Sequence, residues 1–307
     1  GNFHEGTARI YADDGLFTSD PRLADEVANV FEFFKHNYKH FKFNHLIVSP
    51  FQMRKSFTKM VNREIRNAKA GKEAWMILKM NSLIDPEMIF KLYEAGQAGV
   101  KIRLIVRGIF GMKTGISGLS DNIEAISIVD KYLEHSRIFL FANGGEERCF
   151  ISSADWMPRN LNRRIEVAAP IYDPELLQEL KTMLHIQLKD NSKARILDPD
   201  LKNVYQKIYP GFKFRGQEDY YNYIRGKHHI AMKIYHNPRC AKSRLGLKYL
   251  EKKGFELEIK NYLNDGLTEA EIKSILEKTG LEPIQLIRTQ EPDFKAGYKG
   301  ENLPADE

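Results

Sequence analysis

Short apolar runs alternate with stretches of helical period through residues 1 to 231, and this alternation most restricts the folds open to the chain. Leu46 to Pro50 is short and apolar, Met53 to Lys69 carries apolar residues at helical spacing, and Trp75 to Lys79 reads as a strand. Pro86 to Ala98 then reads as a helix and Ile102 to Val106 as a further strand. That order predicts an α/β domain with parallel strands. Val106-Arg107-Gly108 falls at the carboxyl end of a strand, where open α/β sheets bind their ligands, so Arg107 is a candidate phosphate contact. Gly108 suits a close backbone approach there. Asp173 to Lys189 predicts an amphipathic helix, whereas Gly211 to Gly226 is polar and aromatic without periodicity and reads as a domain end.

Residues 135 to 155 predict a hairpin with polar residues at its open end. Arg137 to Ala142 reads as a strand, Asn143-Gly144-Gly145 tolerates positive φ, and Glu146 to Ser152 reads as the return. A turn centred on Gly144 sets His135 opposite Ser153. His135, Arg137, Ser153 and Asp155 then converge on a spot suited to a tetrahedral oxyanion.

At Met232 the pattern restarts. A short strand, the loop His236-Asn-Pro-Arg-Cys240, a helix from Lys242 to Lys253, a strand from Phe255 to Lys260 and a helix from Glu269 to Lys278 follow. This unit of residues 232–307 is too small for an ample core and reads as truncated. With 307 residues, 42% of them hydrophobic, the chain has room for about two domains. No internal repeat is evident.

The net charge of +6 lies wholly before Met232, where 34 Lys and Arg face 28 Asp and Glu; after it the two kinds balance at 13 each. A basic first part suits a polyanionic partner, although an excess of this size is also ordinary for a solvated surface. No apolar run approaches the roughly 20 residues of a membrane span. The opening residues lack the apolar stretch of a signal peptide, so the chain reads as a soluble fragment. Two cysteines, Cys149 and Cys240, make no disulfide framework and suit a reducing cytoplasm. His36 and His40 share helical spacing near His45, but no acidic or thiol ligand completes a metal set, and the segment reads as a basic helix end leading into a linker.

Arg107-Gly108, Gly118 to Ile123, Ala125 to Asp130, Tyr132-Leu-Glu-His135, Asn143-Gly-Gly145 and Ser152 to Met157, in that order, closely resemble the larger, phosphohistidine-forming bacterial polyphosphate kinases. The resemblance runs from Gly1 to about Gly226. It implies the end of one phospholipase-D-like α/β domain in residues 1–45 and a second in 46–230. The implied reaction is reversible transfer of the terminal phosphate of ATP to polyphosphate through a phosphohistidine, with ATP and Mg²⁺ as cofactors. It further implies a homo-oligomer, a cytoplasmic location, peripheral at the inner membrane in some settings, and no nucleic-acid partner.

Residue by residue, Tyr11 matches the tyrosine that packs on the nucleotide, Arg107 a phosphate-binding arginine, and His135 the second active-site histidine. Arg137, Ser153 and Asp155 would support them. Arg159, Asn160, Arg163 and Arg164 form a second basic cluster, equally suited to polyphosphate and to solvent. The family's phosphorylated histidine precedes a Gly-Thr-Gly-Asn motif whose second half matches Gly1-Asn2, so the acceptor is expected to be missing and this fragment inactive. Phe110 to Gly115 departs from the family's usual loop.

The tail resembles another family. His236 to Cys240, Lys242-Ser-Arg244 and Leu286 to Pro292 are similar to the glutaredoxin-dependent arsenate reductases, which have a thioredoxin-like fold. There Cys240 would be the attacking thiol, Arg288 an oxyanion contact, and glutathione or glutaredoxin the partner. A regulator of the same fold is the alternative, and a read-through joining two genes at Met232 is the expected origin. A thiol at a helix N-terminus beside Arg239 and Arg244 favours its thiolate. For the first part, the alternatives are a phospholipase-D-like phosphodiesterase, which needs His-x-Lys where this chain has Arg137, and a non-catalytic polyanion-binding module.

Overall fold

In the computed structural model, which describes residues 4–207, 213–226, 232–252, 257–287 and 292–297, the alternation seen in the sequence becomes a sheet covered on both faces. The chain divides into two compact units, Gly1–Ile208 with Phe214–Tyr221, and Tyr209–Lys213 with Asn222–Glu307.

The first unit opens with α1 (Glu5–Ala8), β1 (Tyr11–Ala12) and α2 (Pro21–Lys35), followed by β2 (Ile47–Ser49), α3 (Met53–Lys69), β3 (Trp75–Met80), α4 (Pro86–Gln97) and β4 (Lys101–Val106). Then come β5 (Ile123–Ser127), β6 (Leu133–Glu134), β7 (Arg137–Phe141), β8 (Arg148–Ser152), α5 (Pro158–Asn162), β9 (Glu166–Ile171), α6 (Pro174–Leu188), β10 (Arg195–Ile196) and the first residues, up to Tyr221, of α7 (Gly216–Gly226). Helices α2, α4 and α6 share a start legible in the sequence: Asp20, Asp85 and Asp173 each cap the helix with a side-chain oxygen, and each precedes a proline.

The main sheet has the order β10-β5-β4-β3-β7-β8-β9-β2. Strands β5, β4 and β3 are parallel, whereas every pairing from β3 through β7, β8 and β9 to β2 is antiparallel. The expectation of a parallel sheet therefore holds only for β3, β4 and β5, since β10 also pairs antiparallel with β5. The short link between β7 and β8 permits a hairpin, while the βαβ crossover through α4 makes β3 and β4 parallel. Alternate residues face opposite layers. Met76, Leu78, Leu104, Phe139 and Phe150 join the α3 and α4 side, while Ile77, Ile105, Ile138 and Leu140 join Met183 and Leu184 of α6.

Helix α3 folds as its period predicts. Met53, Phe57, Val61 and Ile65 form one buried stripe with no interior glycine or proline, and the chain turns away at Gly71, whose φ is +66°. Phe57 is fully buried, with its ring 4.9 Å from that of Phe139 and 5.6 Å from that of Trp156. Burying such a side chain contributes about 1.5–3 kcal/mol. A smaller cluster, Leu23, Val30, Phe43, Leu46 and Val48, fastens α2 to the same unit.

Gly211 to Gly226, read as aperiodic, contains α7 instead. Tertiary bonds hold that helix: the Tyr132 backbone N–H donates to Gln217 Oε1 at 2.7 Å, Gln217 Nε2 donates to the Tyr132 carbonyl at 2.8 Å, and Arg215 forms a two-pronged ion pair with Asp130 at 2.8 Å. No periodic stripe was needed.

In the second unit β11 (Met232–His236) and β12 (Leu257–Asn261) pair in parallel along their whole length, joined through α8 (Ala241–Lys252). After α9 (Tyr262–Asp265), α10 (Glu269–Thr279) begins at a Thr268–Glu271 capping box and ends at Gly280 in the left-handed region. Among the described residues no helix is long and apolar enough to cross a membrane.

Candidate active site

The carboxyl ends of β3 and β4 meet the start of β7 where the sheet changes from parallel to antiparallel, and candidate residues gather at that edge. Arg107 follows β4. Its Nε and Nη2 donate to Asn81 Oδ1 at 3.1 and 2.9 Å, and no carboxylate lies within ion-pair range of it among the described residues. Gly108 allows the close approach expected of it: its N–H donates to the Asn81 carbonyl at 2.7 Å, and a Cβ there would sit 2.8 Å from that oxygen.

His135 lies just before β7. The short β1 pairs in parallel with β6, Tyr11 against Leu133 and Ala12 against Glu134, and the His135 N–H donates to the Ala12 carbonyl at 2.8 Å. This strap brings Tyr11 and Asp13 to the histidine. The Tyr11 and His135 rings are 4.5 Å apart, and His135 Nδ1 is 3.2 Å from Asp13 Oδ2. Arg137 faces both ring nitrogens, with Nη2 3.1 Å from His135 Nε2 and Nη1 3.1 Å from Nδ1, and its Nη1 also donates to the His135 carbonyl at 2.9 Å.

A guanidinium can only donate and a carboxylate only accept, so Nε2, which meets Arg137, is the nitrogen placed to accept, while Nδ1 has both the Asp13 carboxylate and Arg137 Nη1 in range. Burial first, and the neighbouring Arg137 charge second, hold the His135 pKa below the ordinary imidazole range, with Asp13 opposing them. The site therefore presents a neutral histidine at pH 7.

Asp155 holds this arrangement together. It accepts from Arg137 Nε and Nη2 at 3.2 and 3.1 Å, and its Oδ1 also takes the backbone N–H groups of Asn81 and Ser82 at 2.8 and 3.1 Å. Beneath it, the buried Lys79 ammonium pairs with Glu134 and donates to Gln187 Oε1 at 2.9 Å. Asp14 accepts from Ser136, leaves Oδ2 without a partner and has its pKa raised by burial.

The predicted hairpin forms, but its register differs by one. Arg137 pairs with Ser152 and Phe141 with Arg148, so His135 does not face Ser153. Six residues, 142–147, separate the paired positions, and an even loop cannot centre on Gly144. Ser153 consequently joins another group: its hydroxyl donates to Glu166 and accepts from the Val167 N–H at 3.1 Å, with no bond to His135 or Arg137. His135, Arg137, Asp155, Arg107 and Tyr11 come together, and Ser153 does not.

Asn81 and Asp13 were missed. Asn81 ends a strand just as Arg107 does, so the rule that selects Arg107 also selects it. Asp13 reaches the site only through the strap pairing, which leaves no local signal. Among the described residues no group of three or more His, Cys, Asp or Glu could hold a metal ion.

In the second unit Cys240 is half-buried and immediately precedes α8. His236 Nδ1 and the Asn237 N–H both meet Ser243 Oγ, at 2.9 and 3.0 Å, while Arg244 Nη1 donates to the Pro238 carbonyl at 2.7 Å. Arg288 lies outside the described residues. Cys149 is buried in β8, and burial pushes its thiol up to about 12.

A phosphate-suited edge built from separate strand ends is what the comparisons place in context. Residues 46–217 match the family described as polyphosphate kinase C-terminal domain 2, and residues 1–40 match polyphosphate kinase C-terminal domain 1. The chain belongs to the polyphosphate kinase family. It is 46% identical over 225 residues to the polyphosphate kinase of Vibrio parahaemolyticus, covering 73% of this chain and 32% of that protein. Against the polyphosphate kinase of Escherichia coli K12 it is 44% identical over 225 residues, covering 73% of this chain and 33% of the relative. The crystal structure of polyphosphate kinase from Porphyromonas gingivalis superposes with a TM-score of 0.71 at 45% identity, covering 74% of this chain and 35% of that one. The chain thus spans about a third of the length of these relatives.

Proposed function

We propose that residues 1–230 form one wall of a polyphosphate kinase active site, which moves the terminal phosphate of ATP reversibly to polyphosphate. The observation that carries this reading is His135 held between Asp13 and Arg137 at the strand-end edge that also carries Arg107, which no carboxylate among the described residues neutralises, in a chain of this family. Phosphoryl transfer depends chiefly on positioning and charge neutralisation. Arg107 binds phosphate oxygens, Tyr11 packs on the nucleotide, and His135 accepts or returns a proton beside a phosphate-carrying histidine that the rest of such a kinase supplies. Arg137 and Asp155 position His135. Magnesium would arrive with ATP and neutralise phosphate charge there.

The mixed sheet covered on both faces supports a phospholipase-D-like fold for residues 46–230, following the end of a first such domain in 1–45. An oligomeric, cytoplasmic enzyme is part of the same proposal. For residues 232–307, the parallel β11–α8–β12 unit with Cys240 at the helix start supports a thioredoxin-like unit with thiol chemistry of the arsenate-reductase kind, with glutathione or glutaredoxin as its reductant. Its test is alkylation: Cys240 should react with iodoacetamide while Cys149 stays unmodified until the chain unfolds.

The kinase reading is tested by calorimetry of ATP and tripolyphosphate binding. R107Q should weaken both at least ~10-fold, since a charge-assisted contact contributes about 1.5–3 kcal/mol. Unchanged binding would remove Arg107 from the site.

A further inference from the structure

Helix α3 carries an exposed basic stripe that no part of the site accounts for. Lys55, Lys59, Arg63 and Arg66 are all exposed and succeed one another at intervals of three or four residues, so they share one face over about 16 Å of helix. Among the described residues none of the four enters an ion pair, and neither does Arg148. Like charges at this spacing repel, so an unpaired row is mildly destabilising unless something covers it.

Topology tells where the stripe leads. Strand β2 ends at Ser49 opposite Glu166, at the same edge of the sheet as the end of β8 and the beginning of β7. Helix α3 follows β2, so it starts at the edge that carries His135 and runs to the opposite edge, where β3 begins and β7 turns into β8. At its start Arg54 is paired with Asp85, whose N–H donates to the Trp156 carbonyl beside Asp155. At its far end the stripe enters a groove of about 1210 Å³ lined by Lys59, Arg63, Arg66, Arg148, His45 and Tyr172. A smaller groove of about 480 Å³, closer to the start, shares Lys59 and Arg66.

The carboxylates of the larger groove do not cancel this charge. Glu147 is already paired with Lys181. Glu64 is 1% exposed, accepts the Asn143 N–H through Oε1, leaves Oε2 without a partner and has its pKa raised by burial. Only Glu146 remains.

We propose that the α3 stripe and the groove beyond it form a holding track for long-chain polyphosphate, distinct from the reacting site and leading away from it. The proposal rests on the polyphosphate kinase reading above. A linear polyanion of regular charge fits a row of cations about 5–6 Å apart along the helix axis. Single-stranded nucleic acid fits less well, because its affinity depends on open aromatic faces. Tyr172 is capped by Arg22 at 4.2 Å, and Phe51 packs edge-on with Phe33 at 4.9 Å. A chain held at both places gains from intramolecular engagement, which a short chain cannot.

The test is binding of end-labelled long-chain polyphosphate and of tripolyphosphate to the chain and to its K59Q/R63Q/R66Q variant. The three side chains are exposed, so thermal unfolding should be nearly unchanged. Long-chain affinity should fall by about 10-fold or more, and the slope of log affinity against log salt by about 2, since each phosphate contact contributes roughly 0.7. Tripolyphosphate affinity should stay as it was. Long-chain binding by the variant equal to that of the unmodified chain would overturn the track, and so would single-stranded RNA bound as tightly as polyphosphate at matched length and salt. A failure of tripolyphosphate to bind, or of R107Q to weaken it, counts against the active-site reading instead and leaves the long-chain comparison decisive for the track.

Discussion

His135 Nδ1 stands 3.2 Å from Asp13 Oδ2, a contact spanning 122 residues of sequence. The carboxylate comes from the strap that also places Tyr11 on the imidazole, so the ring contact and the carboxylate contact of the histidine depend on one segment. Arg137 approaches both ring nitrogens and lowers the basicity that Asp13 raises.

D13N removes the group that raises the His135 pKa, so the imidazole should titrate at lower pH than in the unmodified chain, while R137Q should move it upward. Nitrogen chemical shifts of His135 report both the midpoint and the tautomer. In a longer polyphosphate kinase carrying this segment, H135A should lose on the order of 10²–10⁴ in rate. D13N should lose about 10–100-fold, as other orienting partners of functional histidines do. A D13N chain with unaltered titration and tautomer would mean that Asp13 does not govern the ring.

Stability should depend on pH through His135 and His185. Burial lowers both pKa values, reinforced by the Arg137 charge at the first and opposed at the second by the hydrogen bond of His185 to the Lys181 carbonyl. In the unfolded chain these rings protonate near pH 6.5, and in the folded chain only at lower pH. Over that interval the unfolded state binds more protons, so stability is complete above about pH 6.5 and declines as pH falls towards the folded values. Asp14 and Glu64, raised by burial, act in the opposite sense, their contribution being present at low pH and lost as pH rises. Urea denaturation of the H135Q/H185Q variant between pH 5 and about 7.5 isolates the histidines. It should show a flatter profile than the unmodified chain, and an equal slope would refute the assignment.

Which parts were legible follows from where the information lies. Helices α3, α4 and α6 could be read because each carries its own apolar stripe, and the latter two have an Asp-Pro start. The hairpin was legible in kind but not in register. Asn143, Gly144 and Gly145 have φ of 52°, 72° and 102°, and three such residues in sequence close an even, six-residue loop rather than one centred on Gly144. One residue of register separates Ser153 from the site. Helix α7 and the Asp13 contact were not legible at all, because Gln217, Arg215 and the strap act through partners far away in sequence. Arg107 was found by its strand end, and Asn81 obeys the same rule.

Lys79 is 5% exposed and neutralises Glu134 beneath the histidine. K79M would leave that carboxylate buried without its partner and also remove a charge that holds down the Asp14 pKa. It should cost about 3–5 kcal/mol in chemical denaturation. K79M/E134L replaces the pair with apolar volume and should recover a large part of the loss. If the single and double variants were equally unstable, the penalty would lie in packing rather than in the orphaned charge.

Gly108 allows a sharper separation of fold from site. Its N–H meets the Asn81 carbonyl, and an added Cβ would lie 2.8 Å from that backbone oxygen, which cannot rotate away. G108A should therefore destabilise by about 1–3 kcal/mol. The same displacement moves Asn81, whose Oδ1 accepts both bonds from Arg107, so phosphate binding should weaken more than in a variant of equal instability elsewhere. G71A is the control: its φ of +66° makes alanine unfavourable, but open space surrounds it and it touches none of the site residues. It should lose about 1 kcal/mol and keep its tripolyphosphate affinity. Calorimetric titration of both variants below their unfolding temperatures decides the matter, because equal affinities would show that the Asn81–Arg107 link does not set the phosphate contact.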